Sequence, residues 1–129
     1  MTFIATQALD DAMLSGGIDG ILDADAGNAY AIVFQGATAL VTVVFAKPAT
    51  MLVDHELVLQ QDNLAGDLVM VQGDADGFEL YNGANVLLGG GDVSGPAGGG
   101  AMKITGSDPS NPTRLFAGAR VLLNELKFA

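Results

Sequence analysis

The reading turns on Leu64 to Leu88. In order, the stretch runs Asp67-Leu-Val-Met-Val-Gln72, Gly73-Asp-Ala-Asp-Gly77, Phe78-Glu-Leu-Tyr81, Asn82-Gly83 and Val86-Leu-Leu88. Two turn signals separate three short apolar runs. Asn-Gly and Asp-x-Asp-Gly supply residues that tolerate positive φ, which tight β-turns need. The pattern predicts a three-strand antiparallel meander with Leu68 and Met70 in the core. A charge introduced at either position is then expected to cost several kcal/mol, as a buried unpaired charge does.

Flanking segments supply further strands. Tyr30–Phe34 and Leu40–Phe45 are rich in β-branched and aromatic residues, which predicts a hairpin joined by Gly36–Ala39. Lys47-Pro48 is expected to end its second strand. Met51–Gln61 alternates, with Leu57 and Leu59 facing in and Glu56 and Gln60 facing out. Met102–Thr105 is a brief strand. Ala119–Phe128 closes the chain as a strand in which Asn124 breaks the alternation, or as a helix through Ala119, Leu122 and Leu126.

At the other end, residues 2–14 read as a short helix. Thr2 or Thr6 would cap it and Gly16-Gly17 would end it. Ala5, Leu9 and Ala12/Met13 would share one face. Asp10 and Asp11 lie in its last turns, where the helix dipole disfavours anions, so packing would have to hold it. Residues 18–28 form a turn-rich connector. Residues 89–100 contain seven glycines and read as a loop, and Gly106–Thr113 as a loop stiffened by Pro109 and Pro112. The expected fold is mainly β: one antiparallel β-sandwich-like domain over residues 1–129 with a short N-terminal helix.

Composition narrows function. The chain has 129 residues and no cysteine, so disulfide and thiolate chemistry are excluded and a reducing compartment suits it. No apolar run is long enough to span a bilayer, and the N-terminus lacks the basic region of a signal peptide. A net charge of −10 repels phosphate backbones and argues against nucleic acid as a partner. That charge is uneven. Residues 1–100 hold Lys47 against 13 carboxylates, whereas residues 101–129 hold Lys103, Arg114, Arg120 and Lys127 against Asp108 and Glu125. Either these four cations form local salt bridges, or the basic C-terminal part of one subunit meets an acidic surface on another. Half the residues are hydrophobic and only 16% are charged, against an average of about 25%, which favours a homo-oligomer or an assembled particle.

Chemistry-bearing clusters are sparse. Asp23-Ala-Asp25-Ala-Gly-Asn28 resembles the start of a calcium loop, but Phe34 stands where a later acidic ligand belongs. Asp74-Ala-Asp76-Gly77 fits a turn equally well. These four aspartates are candidates only for a surface cation. His55, between Asp54 and Glu56, is the sole histidine, and neither a nucleophile motif nor a second metal-binding imidazole accompanies it. The glycine-rich segment lacks the Gly-Lys-Ser/Thr ending of a phosphate loop. Gly98-Gly99-Gly100 is either a plain connection or an arm that orders against a neighbour. No cofactor is implied, and an enzyme is the least supported class, although the fold could bring a carboxylate pair together.

The order of features resembles a family of small tailed-bacteriophage structural proteins. The matching pieces are Ala8–Leu14, Ala29–Phe34, Leu40–Pro48, Phe78–Tyr81, Asn82-Gly83, Val86–Val93 and Leu115–Phe128, nearly the whole chain. Gln35-Gly36 stands where the family usually carries an acidic-Gly turn. The resemblance implies a non-enzymatic virion protein, assembled in the host cytoplasm, whose partners are its own copies and the major capsid protein or other virion proteins. With the acidic charge it points to a capsid decoration or minor capsid protein that stabilises the shell. Its candidate contacts are Lys103, Arg114, Arg120, Lys127 and Gly98–Gly100. A neck or tail component is the alternative, and a small binding module for carbohydrate or cation is another.

Overall fold

A computed structural model describes residues 4–6, 22, 27–53 and 56–128. The strands are β1 (Ile4–Ala5), β2 (Tyr30–Gln35), β3 (Thr38–Val53), β4 (Glu56–Gln61), β5 (Asp67–Leu68), β6 (Gly73–Asp74), β7 (Gly77–Tyr81), β8 (Leu87–Ser94), β9 (Met102–Thr105), β10 (Arg114–Leu115) and β11 (Arg120–Phe128). Seven of them pair in the order β8–β7–β2–β3–β4–β11–β9, and β9 returns to β8, so the sheet closes into a barrel. The mainly antiparallel β expectation holds. A pair of facing sheets does not form, because closure removes the free edges that a sandwich retains.

The closing contact is the one parallel pairing among the described residues, Val93 with Met102 and Ser94 with Lys103. Parallel neighbours normally need a long crossover. Here β9 overlaps the end of β8 by only two residues, so the connection retraces roughly 7 Å. A seven-residue loop between Ser94 and Met102 is enough.

The β2–β3 hairpin is present and tighter than its sequence suggested. Its turn is Gly36-Ala37 alone, with Gly36 at φ 58°. Side chains on β2 alternate, with Ala31 and Val33 buried and Tyr30, Ile32 and Phe34 half-buried on the outer face. Strand β3 does not stop at Pro48. Phe45 pairs with Gln61 and Thr50 with Leu59, so Ala46–Ala49 form a wide bulge opposite Gln60. Proline is tolerated at a bulge because its missing N–H costs no ladder bond there. The bulge bends β3, letting one strand pair with β2 along its first half and β4 along its second. The expected Met51–Gln61 run is therefore the end of β3 and all of β4, paired with each other.

The closing segment is a strand, not a helix. Its register shifts between Leu123 and Glu125, at Asn124. That bulge reverses the parity: Val121 is buried before it and Leu126 after it, leaving Leu122 exposed. Burial of Phe45, Leu80, Leu88, Met102, Ile104 and Leu126 fills the barrel interior. A fully buried side chain of this size contributes about 1.5–3 kcal/mol relative to exposure.

The opening stretch divides. Its second half forms the expected β7–β8 hairpin. The buried Asn82 side chain organises the turn, its Oδ1 accepting N–H bonds from Ala84 (3.0 Å) and Val86 (2.9 Å). Positive φ falls on Asn85, not Gly83. Gly83 is required for another reason: a Cβ there would run into the backbone carbonyl of Gly27. The first half is not a third strand of the meander. β5 pairs with β11, and β6 pairs with β10, forming an excursion across the barrel's end. Leu68 is 47% and Met70 71% exposed, whereas Val69 between them is 2% exposed. The expected burial is thus reversed: the residue of opposite parity enters the core, fixed by Val69 N–H to Ala119 O and Gly118 N–H to Val69 O, both 2.9 Å.

Two other expectations are corrected. Ile4–Ala5 is strand, paired with Gly90 and Gly89 on the same edge of β8 that β9 joins further along, so the helix assigned to residues 2–14 is absent at these positions. Residues 7–14 lie outside the described residues. Gly89–Gly91 belong to β8, which shortens the glycine-rich loop to the segment after Ser94. Close strand packing explains one of these glycines, since a Cβ on Gly90 would meet Phe78 O at 2.5 Å.

Candidate functional site

Asp23 and Asp25 lie outside the described residues, as does His55. Asp74 and Asp76 are described, and both serve the fold. Asp76 accepts the Gly36 N–H with both carboxylate oxygens at 3.1 Å, capping the β2–β3 turn. Asp74 Oδ2 accepts from Arg114 Nη1 at 3.0 Å, while the Asp74 N–H is held by Gln35 Oε1 at 3.1 Å. The other Asp74 oxygen is buried without a hydrogen-bond partner. Among the described residues no group of three or more His, Cys, Asp or Glu side chains could hold a metal ion.

The four C-terminal cations all find partners inside the subunit. Glu125 lies between Lys103 at 3.5 Å and Lys127 at 3.8 Å. Arg114 pairs with Asp74 and sits 5.8 Å from the centre of the Phe116 ring. Arg120 donates to Gly66 O at 2.8 Å. Local pairing thus accounts for the positions of these side chains.

The Gly98–Gly100 segment is likewise tied to its own chain. Gly98 N–H bonds to Gly95 O at 3.0 Å, Gly100 N–H to Ser94 Oγ at 2.9 Å, and Ala101 N–H to Asp92 Oδ1 at 3.0 Å. A Cβ on Gly98 would lie 2.6 Å from Ser94 Cβ. Glycine is needed here because the loop folds back tightly on Ser94.

A polar knot anchors the excursion. Gln61 Nε2 donates to Asp67 Oδ2 at 2.7 Å and to Val121 O at 3.1 Å, and Gln61 Oε1 accepts the Leu123 N–H at 2.8 Å. Asp67 Oδ2 also accepts the Val44 N–H at 3.2 Å. The knot joins β3, β4, β5 and β11, turning the Asp67 carboxylate inward and Leu68 outward.

Outside the knot lies an apolar strip that sequence reasoning missed. Leu64 is 89% exposed, and Leu68, Met70, Val71, Phe116 and Leu122 are exposed with it. Backbone pairing brings the two segments that carry them together. Leu68 is opposite Arg120, and Val69 bonds on both sides to the 118–119 turn that follows Phe116. Surface apolar residues are ordinarily scattered singly, and a clustered set marks a contact surface. The only signal in the sequence was Leu-Val-Met-Val at 68–71, which has no polar residue to give the outer face.

A second surface feature is an open depression of about 450 Å³ beside the β2–β3 turn, lined by Phe34, Gly36, Ala37, Gly77, Phe78, Glu79 and Gly91. Further along the same outer face the Tyr30 and Tyr81 rings stack at 5.2 Å. Their hydroxyls donate to Asn85 Oδ1 (2.8 Å) and Glu79 Oε1 (3.3 Å). Burial raises the Tyr81 phenol above its ordinary value of 10.0, and the nearby Glu79 carboxylate adds to the shift. The depression has one carboxylate and offers no acid–base pair for catalysis.

No family model matches the chain, and neither a curated protein nor a solved structure matches it. No helix among the described residues is long and apolar enough to cross a membrane.

Proposed function

We propose that this protein is a non-enzymatic structural component of a tailed-phage virion, a capsid decoration or minor capsid protein that stabilises the shell. The observation that carries the reading is the exposed apolar strip mounted on a closed barrel. A rigid scaffold with clustered apolar side chains outside is suited to holding neighbouring subunits, not to turning over a substrate. The order of strands and turns along the chain, similar to that of small phage structural proteins, supplies the virion context. The net charge of −10 fits an outward-facing position and disfavours a lining against packaged DNA.

Emptied phage particles incubated with the purified protein test this reading. Saturable binding at high copy number supports decoration. Incorporation limited to a single ring of subunits assigns the protein to the neck or tail. Failure to bind any particle overturns the virion role. The open depression with Phe34 and Glu79 favours one alternative, a small carbohydrate-binding module, which a glycan array would reveal.

A further inference from the structure

We propose that the strip carried by residues 64–71 and 116–122 is the surface through which copies of this chain bind one another. The inference rests on reading the protein as an assembling structural component. Leu64 and Met70 carry the argument, since each leaves most of a large apolar side chain in water within a folded chain. Leaving them there costs free energy that burial against a partner would recover, at about 25 cal/mol per Å².

Charge selects the partner. The chain as a whole is at −10, so two copies repel over most of their surfaces. The strip is the exception. Its two segments contain Arg120 against a single carboxylate, Asp67. That carboxylate is turned inward to Gln61 and Val44, and the neighbouring Asp74 is neutralised by Arg114. Asp62 stands at the rim. A second copy can therefore approach here with little like-charge opposition, and the apolar side chains of one strip meet those of the other in a self-complementary contact. A basic partner would instead be drawn to the acidic remainder of the molecule, and a polyanion would be repelled by it.

Salt dependence follows. Screening weakens the general repulsion between copies and leaves the apolar contact intact, so association tightens as salt rises.

The test is light scattering over a concentration series for the wild type, Met70→Glu, Leu64→Glu and Val86→Glu. Val86 is an exposed apolar residue on the β7–β8 turn, away from the strip. The wild type and Val86→Glu are expected at a multiple of 13.1 kDa, more strongly associated at high salt. Met70→Glu and Leu64→Glu are expected to be 13.1 kDa monomers with wild-type circular dichroism. Their self-association constants should fall roughly 100-fold or more, the effect of an unpaired charge in an apolar contact. A wild type that stays monomeric at every concentration overturns the proposal, as do strip variants that associate like the wild type. Particle binding separates the two readings. A monomeric wild type that still binds particles refutes the self-contact and keeps the virion role. An oligomer dispersed by Met70→Glu that ignores particles does the reverse.

Discussion

The barrel body and the excursion across its end are built from similar residues by different means. In the body, strands β2, β7 and β9 alternate buried and half-buried side chains, and short turns set the register of the β2–β3 and β7–β8 hairpins. In the excursion, strands are two residues long and their placement depends on polar side chains far away in sequence. Asp67 in β5 accepts from the Val44 N–H, and Gln35 Oε1 holds the Asp74 N–H of β6. Hydrophobic alternation thus builds the container, while long-range hydrogen bonds, backbone and side-chain alike, decide which face of an ambiguous apolar run looks outward.

This contrast can be broken most severely from inside the barrel. Phe45 is fully buried, and Phe45→Ala should cost about 3–5 kcal/mol in urea unfolding, through lost burial and a residual cavity. A loss below about 1 kcal/mol would mean that the bent part of β3 is not packed as described.

The excursion's polar knot comes next. Gln61→Ala removes three hydrogen bonds and leaves the partly buried Asp67 carboxylate and Leu123 N–H short of a partner. Each such loss costs about 1–3 kcal/mol where the group is buried and less where water can reach it. We expect a total near 2 kcal/mol, with amide exchange accelerated in β5 and β11 before β2 and β7. Uniform acceleration across the molecule would show that the two regions are not separate in stability.

The smallest effect lies on the outer face of the body. The folded state raises the Tyr81 phenol, chiefly by burial and then through Glu79. A phenol that holds its proton more tightly when folded contributes stability below its unfolded value, and that contribution disappears as pH rises through the folded one. Stability should therefore decline in the window opening near pH 10, and Tyr81→Phe should flatten the decline. An unchanged alkaline profile in Tyr81→Phe would remove Tyr81 as its source.

Much of the body was legible. β-branched and aromatic runs between glycine turns gave the β2–β3 and β7–β8 hairpins, and Asn124 already marked the break in β11. Barrel closure was not legible, because it depends on a two-residue parallel overlap between β8 and β9 that no local pattern announces. Pro48 read as a strand end because local rules do not distinguish an end from a wide bulge. The candidate site was misread more deeply. Leu68-Val-Met-Val71 is apolar at both parities, so the sequence could not say whether Val69 or its neighbours faced the core. The answer came from the bonds of Val69 to residues 118–119, some fifty positions away. The C-terminal cations stood out by their charge, but their carboxylate and carbonyl partners are set by strand pairing.

One comparison tests the account most directly: the unfolding free energies of Leu68→Asp and Val69→Asp, measured by urea titration at concentrations where subunits are dissociated. The account predicts that Leu68→Asp stays within about 0.5 kcal/mol of the wild type, as exposed positions do. Val69→Asp should lose several kcal/mol, as a buried unpaired charge does. The reverse order would put Leu68 in the core, dissolve the exposed strip and remove the basis for the contact surface.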